Sequence, residues 1–170
     1  MTERMLDTCR MLARYNRLAN ERLYGACAQL TDADRKRERP AFFKSIHGTL
    51  NHIMVGDRIW RGRFAGKAMP STGLDAMLYE DFQDLTEARR AEDVGIERFA
   101  ASLDAEWLGG TICYVNNEGR RFEDPTAMLV IHFFNHQTHH RGQVHDMLTQ
   151  TEVAPPSLDL HRVLQPNPND

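Results

Sequence analysis

A chain of 170 residues with 41 % hydrophobic content carries enough apolar side chains to build the core of one domain. Its formal charge of -3, from 21 basic and 24 acidic residues mixed along the sequence, leaves no basic stripe for a phosphate backbone and argues against nucleic-acid binding. No apolar run approaches the ~20 residues that cross a bilayer, and the opening M-T-E-R-M-L-D-T has no signal-peptide core, so a cytoplasmic protein without membrane contact is expected.

From Met5 onward, apolar or small residues recur at Met5, Cys9, Leu12, Ala19, Leu23, Cys27 and Leu30, which predicts a first helix with one buried face. Asn16 falls on that stripe, so it either meets a polar partner in the core or lines a wet site. The charged segment from Thr31 to Pro40 reads as a solvated loop. A second helix is predicted from about Ala41 to Phe64, with Ile46, Leu50, Ile53, Trp60 and Phe64 inward, ending in the Gly66 to Gly73 region that holds Pro70. A third, from about Asp75 to Leu103, places Phe82, Leu85, Ile96, Phe99 and Leu103 on one stripe. Arg89 and Glu92 share it and pair either with each other or, for Arg89, with a carboxylate such as Asp57.

Between Trp107 and Glu123 the pattern changes to T-I-C-Y-V, N-N-E-G-R and R-F-E, a short β-hairpin with Asn117 to Gly119 in its turn. Asp124 and Pro125 then read as N-cap and first residue of a fourth helix running to about Gln150. Beyond it, residues 151–170 are proline-punctuated and predicted to be an extended tail, with Leu158, Leu160, Val163 and Leu164 lying on the bundle. The expectation is an all-α fold, a four-helix bundle with a short hairpin before the last helix, forming one domain over 1–170. Cys9, Cys27 and Cys113 are odd in number, far apart and without a C-x-x-C pair, so they are expected as reduced thiols packed like small hydrophobes.

Within the fourth helix, the stretch from Ile131 to Val144 carries four of the chain's eight histidines. Leu129, Phe133, His136, His140, Gln143 and Met147 follow alternating steps of four and three, so His136 and His140 point inward on one seam. Two imidazoles four residues apart have Cβ atoms about 5–6 Å from each other and can converge on one ion at ~2.0–2.1 Å. His132 lies about 12 Å along the axis from His140 and does not complete a compact trio, and His139 is rotated by about 100° from its neighbour. A third ligand must come from another helix. His52 is a better candidate than His47, because Thr49 and Gly56 around it are small enough to leave space. Three histidines leave an open position for water or substrate. Gln143 could orient a ligand imidazole, Gly142 is expected to permit a close helix approach, and Arg141 serves either a helix or a subunit contact.

Three strings carry a resemblance: H-F-F-N-H-Q-T-H-H-R-G-Q in the fourth helix, Y-N-R-L-A-N-E-R-L from Tyr15, and L-N-H-I-M-V-G-D-R-I-W from Leu50. Together they resemble the DinB/YfiT-like family of metalloenzymes, the damage-inducible proteins unrelated to the DNA polymerase of the same name. The resemblance implies a four-helix bundle and a divalent metal, zinc or nickel, held by His52, His136 and His140. His132 matches a family-typical histidine that is not a ligand. Relatives include S-transferases and isomerases dependent on low-molecular-weight thiols, and many are homodimers. A metal-dependent enzyme acting on a small-molecule substrate is therefore expected, as thiol-dependent transferase or hydrolase. The rivals are a non-catalytic metal-binding stress module, a dimeric interaction scaffold, and a metal-independent ligand carrier. No catalytic residue is identified beyond Asn16 and Gln143 as supporting candidates.

Overall fold

The computed structural model describes residues 2–67 and 73–166. Four long helices make the bundle: α1 (Thr2–Cys27), α3 (Ile46–Phe64), α4 (Phe82–Ser102) and α6 (Thr126–Leu148). Three short helices, α2 (Asp32–Lys36), α5 (Ala105–Leu108) and α7 (Leu160–Leu164), fill connections, and β1 (Thr111–Val115) pairs antiparallel with β2 (Arg121–Pro125) just before α6. The all-α bundle with its hairpin is therefore as the sequence pattern predicts.

Local chemistry moved several boundaries. The segment after Thr31 is helical at α2 because the Thr31 side chain accepts from the Asp34 amide, a T-x-x-D cap that overrides the loop-like composition. The second long helix starts at Ile46 rather than Ala41: Lys44 is held at φ 66, and Ser45 caps by accepting from the Gly48 amide. It ends in a Schellman arrangement, with Gly66 at φ 63 and the Lys67 amide donating to the Gly62 carbonyl. Pro70 lies outside the described residues. The third long helix starts at Phe82 rather than Asp75, because Asp81 caps it and the Asn51 side chain pairs with both backbone groups of Tyr79, holding that segment out of the helix. Asp124 is not the N-cap of α6. It belongs to β2, opposite Ile112, and accepts from the Tyr114 hydroxyl.

The tail packs as expected on α1, where Val163 joins Tyr15 and Ala19, though its last described turn is the helix α7 rather than extended chain. The Tyr15 hydroxyl donates to the Leu158 carbonyl. Of the cysteines, Cys9 and Cys27 are buried, whereas Cys113 is exposed because it occupies an outward position of β1. No described helix is long and apolar enough to cross a membrane.

The core is divided by height. One apolar cluster gathers Leu23, Leu50, Leu85 and Leu148, a second gathers Cys9, Trp60, Ile96 and Phe133, and between them every long helix contributes polar residues. This layer holds Asn16 and Asn20 of α1, Asp57 of α3, Arg89 and Asp93 of α4, and Gln137 and Arg141 of α6, all buried. Arg89 bridges Asp57 at 2.5 Å and Asp93 at 2.9 Å, and Gln137 donates to Asp57 at 2.7 Å. Buried charges persist only with such partners. Of the two pairings open to Arg89, the one with Asp57 forms, and Glu92 instead takes Arg61 and Arg58.

Candidate metal centre

The most buried stripe of α6 runs through Val130, Phe133, Phe134, Gln137, Arg141, Val144 and Leu148. It is rotated slightly from the seam read in the sequence, so His140 is buried while His136 and Gln143 lie half-buried at its edge. An edge position keeps the imidazoles in the packed protein yet within reach of solvent. His52 projects from the facing helix α3 and is buried.

The three rings meet at their Nε2 atoms. His52 Nε2 lies 3.1 Å from His140 Nε2 and 3.2 Å from His136 Nε2. Their candidate ligand atoms all fall within 4.8 Å of one another, a group that could hold a metal ion. Two nitrogens on a tetrahedral ion with bonds of ~2.0–2.1 Å stand about 3.3 Å apart, so the observed spacing fits.

The outer nitrogens decide what the inner ones can do. His52 Nδ1 is 2.7 Å from the Leu74 carbonyl oxygen, and His140 Nδ1 is 2.8 Å from Gln143 Oε1. Both oxygens only accept, so each ring carries its proton on Nδ1 and turns an Nε2 lone pair inward. Two lone pairs facing each other at 3.1 Å repel unless a cation or proton stands between them. His136 Nδ1 has no hydrogen-bond partner among the described residues. Burial pushes His52 down to about 4 and His136 down to about 3, and lowers His140 as well, with neighbouring imidazoles adding to the shift. All three are neutral at pH 7, the form that binds metal.

Packing fixes the rings. Phe43 stacks on His52 with centroids 3.7 Å apart, and meets His140 edge-on at 5.6 Å. Gly56 lies beneath His136, so the small residue noted in the sequence makes room for that ring. Neither Phe43 nor the Leu74 carbonyl was foreseen, and no spacing rule links them to histidines in other elements.

The remaining candidates separate. His47 is buried more than a turn before His52 and faces the Tyr79 carbonyl at 2.8 Å. His132 is exposed and packs edge-on against Trp60 at 5.1 Å. His139 is exposed, 3.2 Å from Gln143 Nε2. Asn16 donates to Asp93 and accepts from Arg141, so its hydrogen bonds lie in the polar layer, whereas Gln143 bonds a histidine of the trio directly. Arg141 thus joins α6 to α1 within the chain. Gly142 does not mediate a close helix approach: it is exposed, and a Cβ there would meet nothing within 4 Å.

Fold and site together define a class: four-helix bundles carrying a three-histidine group that could hold a metal between the second and last long helices. The chain belongs to the DinB family, whose sequence model matches residues 5–170. It is 28 % identical over 163 residues to Protein DinB of Bacillus subtilis (strain 168), an alignment covering 91 % of this chain and 92 % of that protein. It also resembles the crystal structure of a DinB-like protein from Bacillus cereus ATCC 10987, with a TM-score of 0.60 and 19 % identity over 82 % of this chain and 89 % of that one, a likeness of fold.

Proposed function

We propose that His52, His136 and His140 hold a divalent ion, zinc or nickel, and that the protein is a metal-dependent enzyme acting on a small molecule. The observation that carries this reading is the convergence of three Nε2 atoms, two of them with lone pairs fixed inward by acceptors at Nδ1. Nothing but a cation or a proton relieves that arrangement, and the depressed basicity of the rings disfavours the proton.

Three ligands leave a tetrahedral ion one open position, and the group holds no fourth Cys, His, Asp or Glu among the described residues. That favours catalysis over a closed structural site. A bound ion would lower the pKa of a thiol or water at the open position and supply a nucleophile at neutral pH. The protein's own part is orientation. Leu74 and Gln143 hold two rings in one tautomer, Phe43 covers one face of His52, and the half-buried edge at His136 admits the substrate. A low-molecular-weight thiol attacking an electrophile is the preferred chemistry, with hydrolysis as the alternative, in a cytoplasmic homodimer.

The test is a screen of the metal-loaded protein with several small thiols and electrophiles, repeated after chelation and after metal is restored. Turnover that disappears with the ion and returns with it supports the reading. Turnover that survives complete metal removal overturns it.

A further inference from the structure

We infer that His139 is a positioning residue of the metal centre: by accepting a hydrogen bond from the Gln143 side-chain amide, it fixes which end of that amide faces His140. In this way it keeps the His140 Nε2 lone pair turned toward the ion. The inference rests on the reading of His52, His136 and His140 as metal ligands.

Helical spacing sets up the chain of contacts. On α6, Gln143 stands three residues after His140 and four after His139, so its side chain reaches both. Gln143 Oε1 lies 2.8 Å from His140 Nδ1, and Gln143 Nε2 lies 3.2 Å from His139 Nε2. The two imidazoles stand almost perpendicular, with centroids 4.8 Å apart and planes at 81°. The contacts run inward from solvent: His139 is exposed, Gln143 is half-buried and His140 is buried.

The amide is the ambiguous member of this chain. Its oxygen and nitrogen ends have nearly the same shape, so packing does not choose between two poses related by a half-turn, and hydrogen-bond partners must. In the observed pose the oxygen accepts from His140 Nδ1–H and leaves Nε2 of that ring bare. In the rotated pose the amide would donate to His140 Nδ1, the ring would carry its proton on Nε2, and an N–H would point into the trio in place of a lone pair.

His140 does not choose between the poses, because a neutral imidazole exists in both tautomers. The group on the far side of the amide chooses, and that group is His139. A lone pair at His139 Nε2 accepts from the amide and holds the observed pose, whereas a donor in its place would hold the rotated one. His139 is exposed, so water competes for this contact and its removal costs affinity a few-fold rather than abolishing binding.

Ring 15N NMR of the metal-free chain at about pH 8, where an ordinary imidazole is neutral, reads the His140 tautomer directly. A zinc competition titration then reads its consequence. The wild type should carry the His140 proton on Nδ1. His139→Lys, which can only donate, should move that proton to Nε2 and weaken zinc binding by about tenfold. His139→Ala should give a mixture of tautomers and a loss of about threefold. In a Gln143→Glu background both ends of the side chain accept, so His139→Lys should there cost about twofold or less, which separates lost orientation from simple repulsion of the ion by an added charge. An unchanged His140 tautomer in His139→Lys, or an equal loss of affinity with and without Gln143→Glu, overturns the inference. The tautomer is read without metal, so this outcome is separate from the ligand assignment, which fails if the wild type binds no zinc or other divalent ion.

Discussion

The Gly56 Cα–H surface is the seat of the His136 imidazole: a Cβ at residue 56 would stand 2.6 Å from His136 Cε1. Such a contact displaces the ring, whereas alanine itself favours the helix by about 1 kcal/mol. Gly56→Ala should therefore leave the bundle folded and weaken metal binding by about tenfold or more, ~1.4 kcal/mol, in a competition titration against a chromophoric chelator. Unchanged affinity would place His136 outside the site.

Gln143 acts on His140 through its acceptor oxygen, at 2.8 Å from Nδ1. Gln143→Leu removes the group that sets the tautomer and should lower metal affinity by roughly 10–100-fold, the usual effect of losing a partner behind a ligand imidazole. Gln143→Glu keeps an acceptor and should bind at least as well. Calorimetric titration of both variants checks the pair, and equal losses in the two would refute the role.

The pH dependence of the metal-free protein follows from the lowered histidines. His52, at about 4, and His136, at about 3, bind fewer protons folded than unfolded. Stability should therefore be full above the ordinary histidine value of ~6.5 and decline as pH falls toward these folded values. Asp57, raised to about 6 chiefly by burial, works the other way in part of that window. Thermal melts of wild type and His136→Gln between about pH 4 and 7 isolate the histidine contribution. The variant should lose less stability on acidification than the wild type, and parallel curves would contradict the assignment.

Arg89 holds two carboxylates in the polar layer. Arg89→Met strands both and should destabilise the bundle by about 3–5 kcal/mol in urea unfolding. Adding Asp57→Asn to that variant should recover part of the loss, because the two residues share one network. Strictly additive effects would argue that they do not.

Periodicity makes the bundle and the trio legible in the sequence. A step of four on one helix brings His136 and His140 together, and a search for a third imidazole flanked by small residues reaches His52. What spacing does not encode is side-chain to backbone chemistry across long sequence gaps. The Leu74 carbonyl that fixes His52, the Phe43 ring that covers it, and the Asn51 amide that holds Tyr79 out of α4 all depend on the tertiary arrangement. The helix starts set by the caps Ser45 and Asp81 are not legible in the periodicity, because a cap competes with a continuing apolar pattern. Asn16 shows the opposite case: its inward position was readable, but only the structure reveals that Asp93 and Arg141 satisfy it.

Elemental analysis of the purified protein alongside His136→Ala and His140→Ala tests the central claim most directly, with circular dichroism confirming the helices. The account predicts one divalent ion per chain in the wild type and loss of stoichiometric metal in both variants while the bundle stays folded. Stoichiometric metal retained by either variant would contradict it.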